Sequence, residues 1–317
     1  MRFTSIAGIN RPVSRVVLGT EDYFLHQYDH HARILDAWIA GGGTALDTAR
    51  LYATLDGVPN SELVVGRWLA ERGNREQVTI ITKGAHPRGG DDSGLGWVSK
   101  EVIDSDVLAS LEALRTEWID IWLFHRDNPN VEVAPIMDCI NAHIADGRIK
   151  AIGASNWTLD RFEEANQYAA DNGLQGFSLL SNHFGLATQQ APRWPGCVSL
   201  LPDQRRRLIA SGRPNLAWSS QCGGFFAGIY DPADRSNEPM VATYYSDENF
   251  ARLDRARELA AEIGISPMQV ALSYTLSQEF DSLGVFWSAN ERELAETLAA
   301  VDLVLSPDQI GFLEGAA

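Results

Sequence analysis

The sequence predicts a closed (β/α)8 TIM barrel, a single domain over residues 1–317 with long loops at its C-terminal face, and three observations predict it. Short apolar runs alternate eight times with segments whose apolar residues recur at helical spacing. Most strand ends lie roughly 27 to 42 residues apart, as crossovers between parallel strands require. No strand follows another through a tight hairpin inside the array, and no Gly-x-Gly-x-x-Gly follows the first strand, which disfavours the open doubly wound sheet.

The elements follow in order. A polar lead containing Gly8 and Pro12 reads as a hairpin over one end of the fold, and Val16–Thr20 is the first strand. Ile34, Leu35, Trp38 and Ile39 mark a helix ended by Gly41–Gly43, and Thr44–Asp47 is the second strand. A helix begins near Asn60 or Ser61, either of which is a suitable cap, and Gln77–Thr82 is the third strand. A Gly- and Asp-rich loop runs to Trp97, and Ile103, Val107, Leu111 and Leu114 form one face of a helix capped by Ser99. Next come strand Ile119–Phe124, helix Val131–Asp146, strand Ile149–Gly153, helix Leu159–Asp171 and strand Gly176–Leu180. After a Pro-containing excursion there follow a helix near Asp203–Ala210, strand Leu216–Trp218, and an irregular loop from Gln221 to about Tyr245. Leu253, Ala256, Ala260 and Ile263 mark a further helix, Ser266-Pro267 starts another, and Ser282–Phe286 is the last strand.

Composition excludes several classes. With 42 acidic against 26 basic residues the net charge is −16, which opposes binding to a nucleic-acid backbone, and Arg205-Arg206-Arg207 reads as a solvated helix face. No apolar run is long enough to span a membrane and the first residues lack a signal-peptide core, so a cytoplasmic protein is expected. Cys139, Cys197 and Cys222 are scattered and read as free thiols. No metal is expected, because His30 and His31 are adjacent and lack a matching third ligand. A glycosidase needs a second strand-end carboxylate beside Asp47.

Four polar residues stand where apolar runs stop or shortly after: Asp47, Tyr52, Lys83 and His125. In a (β/α)8 barrel reactive groups gather there, because side chains from several strands converge past their carboxyl ends. A phenol is a weak acid, with a pKa of about 10, and a neighbouring ammonium favours its ionised form. Lys83 is therefore expected to bring Tyr52 toward neutrality, with Asp47 orienting Lys83 and His125 positioning an acceptor. Such a group suits the protonation of an alkoxide formed when hydride reaches a carbonyl carbon.

Four stretches in this order resemble the aldo-keto reductase superfamily from about Arg15 to the end: Gly42-Gly-Thr-Ala-Leu-Asp-Thr-Ala-Arg-Leu-Tyr52, Thr82-Lys83, Ile119-Asp-Ile-Trp-Leu-Phe-His125 and Ile152-Gly-Ala-Ser-Asn-Trp157. Thr82-Lys-Gly-Ala-His-Pro87 and His125-Arg-Asp-Asn-Pro129 are similar to the aryl-alcohol-dehydrogenase-like branch. The resemblance implies a nicotinamide-dependent oxidoreductase acting on a small aldehyde, ketone or sugar, with Tyr52 as general acid/base assisted by Asp47, Lys83 and His125. It further implies cofactor contacts from Gly19, Thr20 and Asp22 in the first loop, Ser155 and Asn156, Asn182 where glutamine is common, and Trp218 as a stacking ring.

The C-terminal stretch Phe286-Trp-Ser-Ala-Asn-Glu-Arg-Glu-Leu-Ala-Glu-Thr297 departs from that pattern. Ala289 stands where a basic residue would grip the 2′-phosphate of NADP(H), and Thr297 where an asparagine would meet adenine, leaving Ser288, Asn290 and Arg292 as candidate donors. NADP(H) is the expectation from the resemblance and NAD(H) the alternative. Gly-flanked Phe225 and Phe226 suggest an apolar flap over the site, with Trp194 and Tyr244 at the same mouth. A cofactor-binding regulatory module with little turnover is the alternative function. Substrate identity, direction of flux and oligomeric state are not encoded in these motifs.

Overall fold

The barrel closes as the alternation requires, and the computed structural model describes residues 1–315. The lead is an antiparallel hairpin of β1 (Phe3–Thr4) and β2 (Val13–Ser14). Then come β3 (Val16–Gly19), α1 (Tyr28–Ala40), β4 (Ala45–Asp47), a small hairpin of β5 (Thr54–Leu55) and β6 (Val58–Pro59), and α2 (Ser61–Arg72). β7 (Thr79–Gly84), α3 (Lys100–Leu114), β8 (Ile119–Phe124), α4 (Val133–Ala145), β9 (Ile149–Ser155), α5 (Leu159–Asp171) and β10 (Leu179–Ser181) continue the alternation. The chain ends through α6 (Pro202–Ser211), β11 (Asn215–Ala217), α7 (Glu238–Tyr244), α8 (Asp247–Ile263), α9 (Pro267–Leu276), β12 (Ser282–Phe286), α10 (Glu291–Leu298) and α11 (Pro307–Glu314). Parallel pairing runs β3-β4-β7-β8-β9-β10-β11-β12 and back to β3.

Alternation along the strands divides two cores. Val17, Ala45, Ile81, Ile121, Leu123, Ala151, Leu179, Leu216 and Leu283 point inward, and Ile6, Ile9 and Val13 of the lead join them, so the hairpin plugs the amino end of the barrel. The intervening residues, among them Leu18, Leu46, Ile80, Trp122 and Ile152, pack outward against Trp38, Trp68, Ile103 and Ile136 of the helices. Each such side chain, fully buried, contributes roughly 1.5–3 kcal/mol by area transfer. At the plugged end Asp120, fully buried, receives Arg11 at 3.0 Å, Arg75 at 2.7 Å and Lys150 at 3.4 Å, which ties the lead to the base of β8.

Caps fall where polar residues precede the helical patterns. Ser99 accepts the Val102 N–H, Thr158 the Arg161 N–H, and Ser266 and Gln269 form a reciprocal capping box. Asn60 precedes α2 without capping it: its amide donates to the Ala53 and Val58 carbonyls and accepts the Leu25 N–H, tying the β5–β6 hairpin to the β3–α1 connection.

The segment expected as one irregular loop from Gln221 to Tyr245 holds a 3-10 turn, Cys222–Ala227, and the helix α7. Asn237 caps α7 and Met240, Thr243 and Tyr244 are its buried face, a single turn of pattern too short to stand out from sequence. Across the open face, Gly94 in the β7–α3 loop and Gly196 in the excursion after β10 meet backbone to backbone. Among the described residues no helix is long and apolar enough to cross a membrane.

Candidate active site

Asp47, Tyr52, Lys83 and His125 come together at the carboxyl ends of β4, β7 and β8. Asp47 is the last residue of β4, Lys83 lies in the final turn of pleat of β7, and His125 directly follows β8, its N–H held by the Gly84 carbonyl at 2.9 Å. The Lys83 ammonium donates to Asp47 Oδ2 at 2.8 Å, to the Thr48 carbonyl at 3.0 Å and to the Tyr52 hydroxyl at 3.1 Å. The His125 ring stands edge-on to the Tyr52 ring, 5.5 Å between centroids, and His86 packs on its other side at 4.7 Å. Asp47, Lys83 and His125 are all buried.

Electrostatics reverse one expectation. Burial first, then the carboxylates of Asp47 and Glu21, raise the Tyr52 phenol well above its usual 10.0, outweighing the opposing charge of Arg126. The phenol therefore remains a proton-carrying donor at neutral pH rather than a partly ionised one. Burial, helped by the charges of Arg126 and Lys83 and by His86, drives His125 well below its usual 6.5, so its ring is neutral. The Asp47 carboxyl is pushed up by burial and pulled back by the ion pair with Lys83, with a net rise.

The residues named for cofactor contact sit on neighbouring strand ends. Ser155 ends β9 and Asn156 follows it at φ 59°, its amide donating to Ser155 Oγ at 3.0 Å and to the His125 carbonyl at 3.3 Å. Asn182, just past β10, donates to the Trp157 carbonyl at 2.8 Å, while its own Oδ1 is buried without a partner. An orphaned acceptor there suits the amide N–H of a nicotinamide. Trp218 follows β11 with its ring half-buried, 5.1 Å from His183 and 6.0 Å from Trp194. Gly19 ends β3, and the Thr20 hydroxyl is spent on the Asp47 carbonyl at 3.1 Å and Ser61 at 2.7 Å. Phe225, Phe226 and Tyr244 are buried beneath the mouth, and Trp194 is exposed at it.

Asp22 lines a cavity of about 290 Å³ with Tyr23, His30, Trp287, Ser288 and Ala289, between the β3 loop and the start of α10. The donors at that helix start are already occupied. Asn290 Oδ1 caps Arg292 and Glu293, the Ser288 hydroxyl donates to the Asn290 carbonyl, and Glu293 Oε2 accepts the Ala289 N–H at 3.0 Å. Arg292 lies on the exposed face of α10, paired with Glu296 at 3.0 Å. The orphaned Asn182 Oδ1 fits the amide of a nicotinamide, and at the start of α10 a carboxylate, Glu293, occupies the Ala289 N–H.

Sequence reasoning passed over Arg126, Glu21 and Glu293. Arg126 stands inside a quoted motif beside His125, and the Asn290-x-x-Glu293 spacing is itself a helix-start signal. Glu21 had no signal beyond being a charged residue in a loop.

The chain is 27% identical over 298 residues to an aldo-keto reductase of Emericella nidulans, covering 90% of this chain and 72% of that protein. It is 25% identical over 294 residues to a putative aryl-alcohol dehydrogenase of Saccharomyces cerevisiae, covering 89% and 75%. A versiconal hemiacetal acetate reductase of Aspergillus parasiticus is 28% identical over 345 residues, covering 99% and 96%. A parallel barrel with Asp47, Tyr52, Lys83 and His125 at its open end, and a family profile matched over residues 15–317, lead to one assignment: the chain belongs to the Aldo/keto reductase family.

Proposed function

We propose that the protein reduces the carbonyl of a small aldehyde, ketone or sugar to the alcohol, with Tyr52 as general acid. The supporting observation is the Lys83 ammonium donating at once to Asp47 and to a Tyr52 phenol that burial keeps protonated. A bound reduced nicotinamide supplies the hydride to the carbonyl carbon. Tyr52 gives its proton to the carbonyl oxygen, and the phenolate left behind is stabilised by Lys83 at 3.1 Å. Neutral His125, beside the phenol, donates a hydrogen bond to that oxygen and fixes where it sits. Asp47 keeps Lys83 aimed and balances its charge.

NAD(H) is the cofactor this reading favours, against the NADP(H) expected from resemblance. Glu293 on the Ala289 N–H makes the α10 start acidic, and Arg292, the cation on that turn, is directed to Glu296 on the exposed face. Tryptophan fluorescence titrations with NADH and NADPH, followed by loss of reduced-cofactor absorbance with an aromatic aldehyde, test both points. Tighter NADH binding with turnover supports the reading; binding of either cofactor with no turnover on any aldehyde, ketone or sugar overturns it in favour of a cofactor-binding sensing module.

A further inference from the structure

Arg126 is not used by the proton-transfer scheme. It follows His125, is only 5% exposed, and its Nη1 donates to the His125 carbonyl at 2.9 Å and its Nε to the Pro195 carbonyl at 3.2 Å. Both partners are neutral. Nη2 has no partner among the described residues, yet it is absent from the sealed, unpartnered atoms such as Arg50 Nε, so it opens onto accessible space.

No acid among the described residues pairs with it. Asp127, the next residue, pairs with Arg161 at 3.3 Å, Asp47 pairs with Lys83 at 2.8 Å, and Asp106 pairs with Arg88. Glu21 and Asp22, in the loop after β3, make no ion pair with Arg126 among the described residues, and the charges acting on Glu21 are those of Asp22, Lys83, Asp47 and Arg193. The guanidinium charge is felt by Tyr52, His125 and His86, which places it at the reacting end of the cleft.

A buried charge without a counter-ion is expensive in a folded protein, and a chain carrying −16 overall has carboxylates in abundance with which to pair it. We infer that the missing counter-ion comes with the substrate: Arg126 Nη2 receives a carboxylate carried by the carbonyl compound, so the preferred substrates are oxo acids or acidic aldehydes. Guanidinium donors match carboxylate oxygens, and a charge-assisted bond in a dry cleft both binds and orients. The inference rests on the reductase reading and names its substrate class.

The test compares 4-carboxybenzaldehyde with its methyl ester, neutral and nearly the same shape, in kcat/KM and KM. Binding of the two corresponding alcohols, read by tryptophan fluorescence in the presence of oxidised cofactor, runs in parallel and needs no turnover. The wild-type protein is expected to favour the acid by about tenfold to a hundredfold, the worth of one charge-assisted hydrogen bond, chiefly through KM. In Arg126→Met the acid-to-ester ratio falls to about one, and Arg126→Lys restores part of it. Equal handling of acid and ester by the wild type in both assays overturns the inference, and that comparison stands even where a variant fails to fold. An unchanged acid-to-ester ratio in a folded Arg126→Met also overturns it, leaving Arg126 as a clamp between His125 and Pro195. Selective binding of the acid alcohol with no reduction of either aldehyde upholds the anion site and sinks the reductase reading.

Discussion

The Lys83 ammonium lies 3.1 Å from the Tyr52 hydroxyl oxygen and 4.6 Å from the centroid of the Tyr52 ring, so one cation engages the phenol at its oxygen and at its π face. Removing the proton source isolates that contact. Tyr52→Phe keeps the ring over Lys83 and is expected to lower kcat by about 10²- to 10⁴-fold, the usual worth of a positioned general acid. Single-turnover kinetics with saturating reduced cofactor check this, and retention of more than a tenth of the wild-type rate would assign the proton to another group.

A phenol held above its usual 10.0 sets the direction of the pH profile. Reduction requires the protonated form, which stays populated below the raised pKa, so kcat for reduction should be flat from about pH 6 to about pH 9. Alcohol oxidation requires the phenolate and should rise with pH over the same span. A fall in reductive kcat centred near neutrality, matching a phenol drawn down by Lys83, would contradict the burial argument.

Glu293 accepts the Ala289 N–H at 3.0 Å and the Asn290 amide at 3.2 Å, placing a negative charge on the first turn of α10. Glu293→Ala should tighten NADPH binding relative to NADH by about twofold to fivefold, since a charge at a helix start is worth roughly 0.3–1 kcal/mol. Isothermal titration of both cofactors against both proteins measures the ratio, and an unchanged ratio would show that the phosphate never reaches this turn.

Stability should respond to pH through His183, whose ring is buried beside the Tyr244 hydroxyl at 2.9 Å and held down to about 3 against a usual 6.5. The unfolded chain takes up this proton below 6.5 while the folded protein does so only near 3, so unfolding binds a proton throughout that window. The stability this neutral histidine contributes is complete above 6.5 and declines as pH falls, by about 2 kcal/mol at pH 5. Urea midpoints at pH 7 and pH 5 should therefore diverge more for the wild type than for His183→Gln; parallel losses would remove His183 from the account.

Gly66 sits where α2 crosses the end of α3, and a Cβ there would lie 2.1 Å from the Ala113 carbonyl oxygen and 2.7 Å from Leu114 Cα. Backbone cannot yield as a side chain can, so Gly66→Ala is expected to cost about 1–3 kcal/mol despite its better helix propensity. Thermal unfolding of the variant decides the sign.

The barrel was legible because its signals are local and repeated: the strands are short apolar runs and the helices show apolar residues at helical spacing, several of them with a cap. The same holds for Asp47, Lys83 and His125, which mark the points where apolar runs end. What stayed hidden depends on contacts far apart in sequence. The phenol of Tyr52 is governed by how deeply it is buried and by Glu21 from another loop, so ion-pair reasoning on Lys83 alone pointed the wrong way. The helix α7 escaped notice because its buried face is Met240, Thr243 and Tyr244 only. Asn60 was readable as a cap by type, and tertiary partners claimed its side chain instead.

The backbone meeting of Gly94 with Gly196 leaves no space for a methyl group on either residue, a Cβ on Gly196 falling 2.1 Å from the Gly94 carbonyl oxygen. Gly96 is tied by its N–H to the Asp127 carbonyl at 2.7 Å, and the excursion is held to the flap side where Gln190 donates to the Thr243 carbonyl at 2.8 Å. Segments from four of the eight strand-to-helix connections are thus joined through backbone. Loops tied in this way would shift together rather than singly, so a side chain placed at Gly94 or Gly196 would disturb the whole joined rim and not one tip.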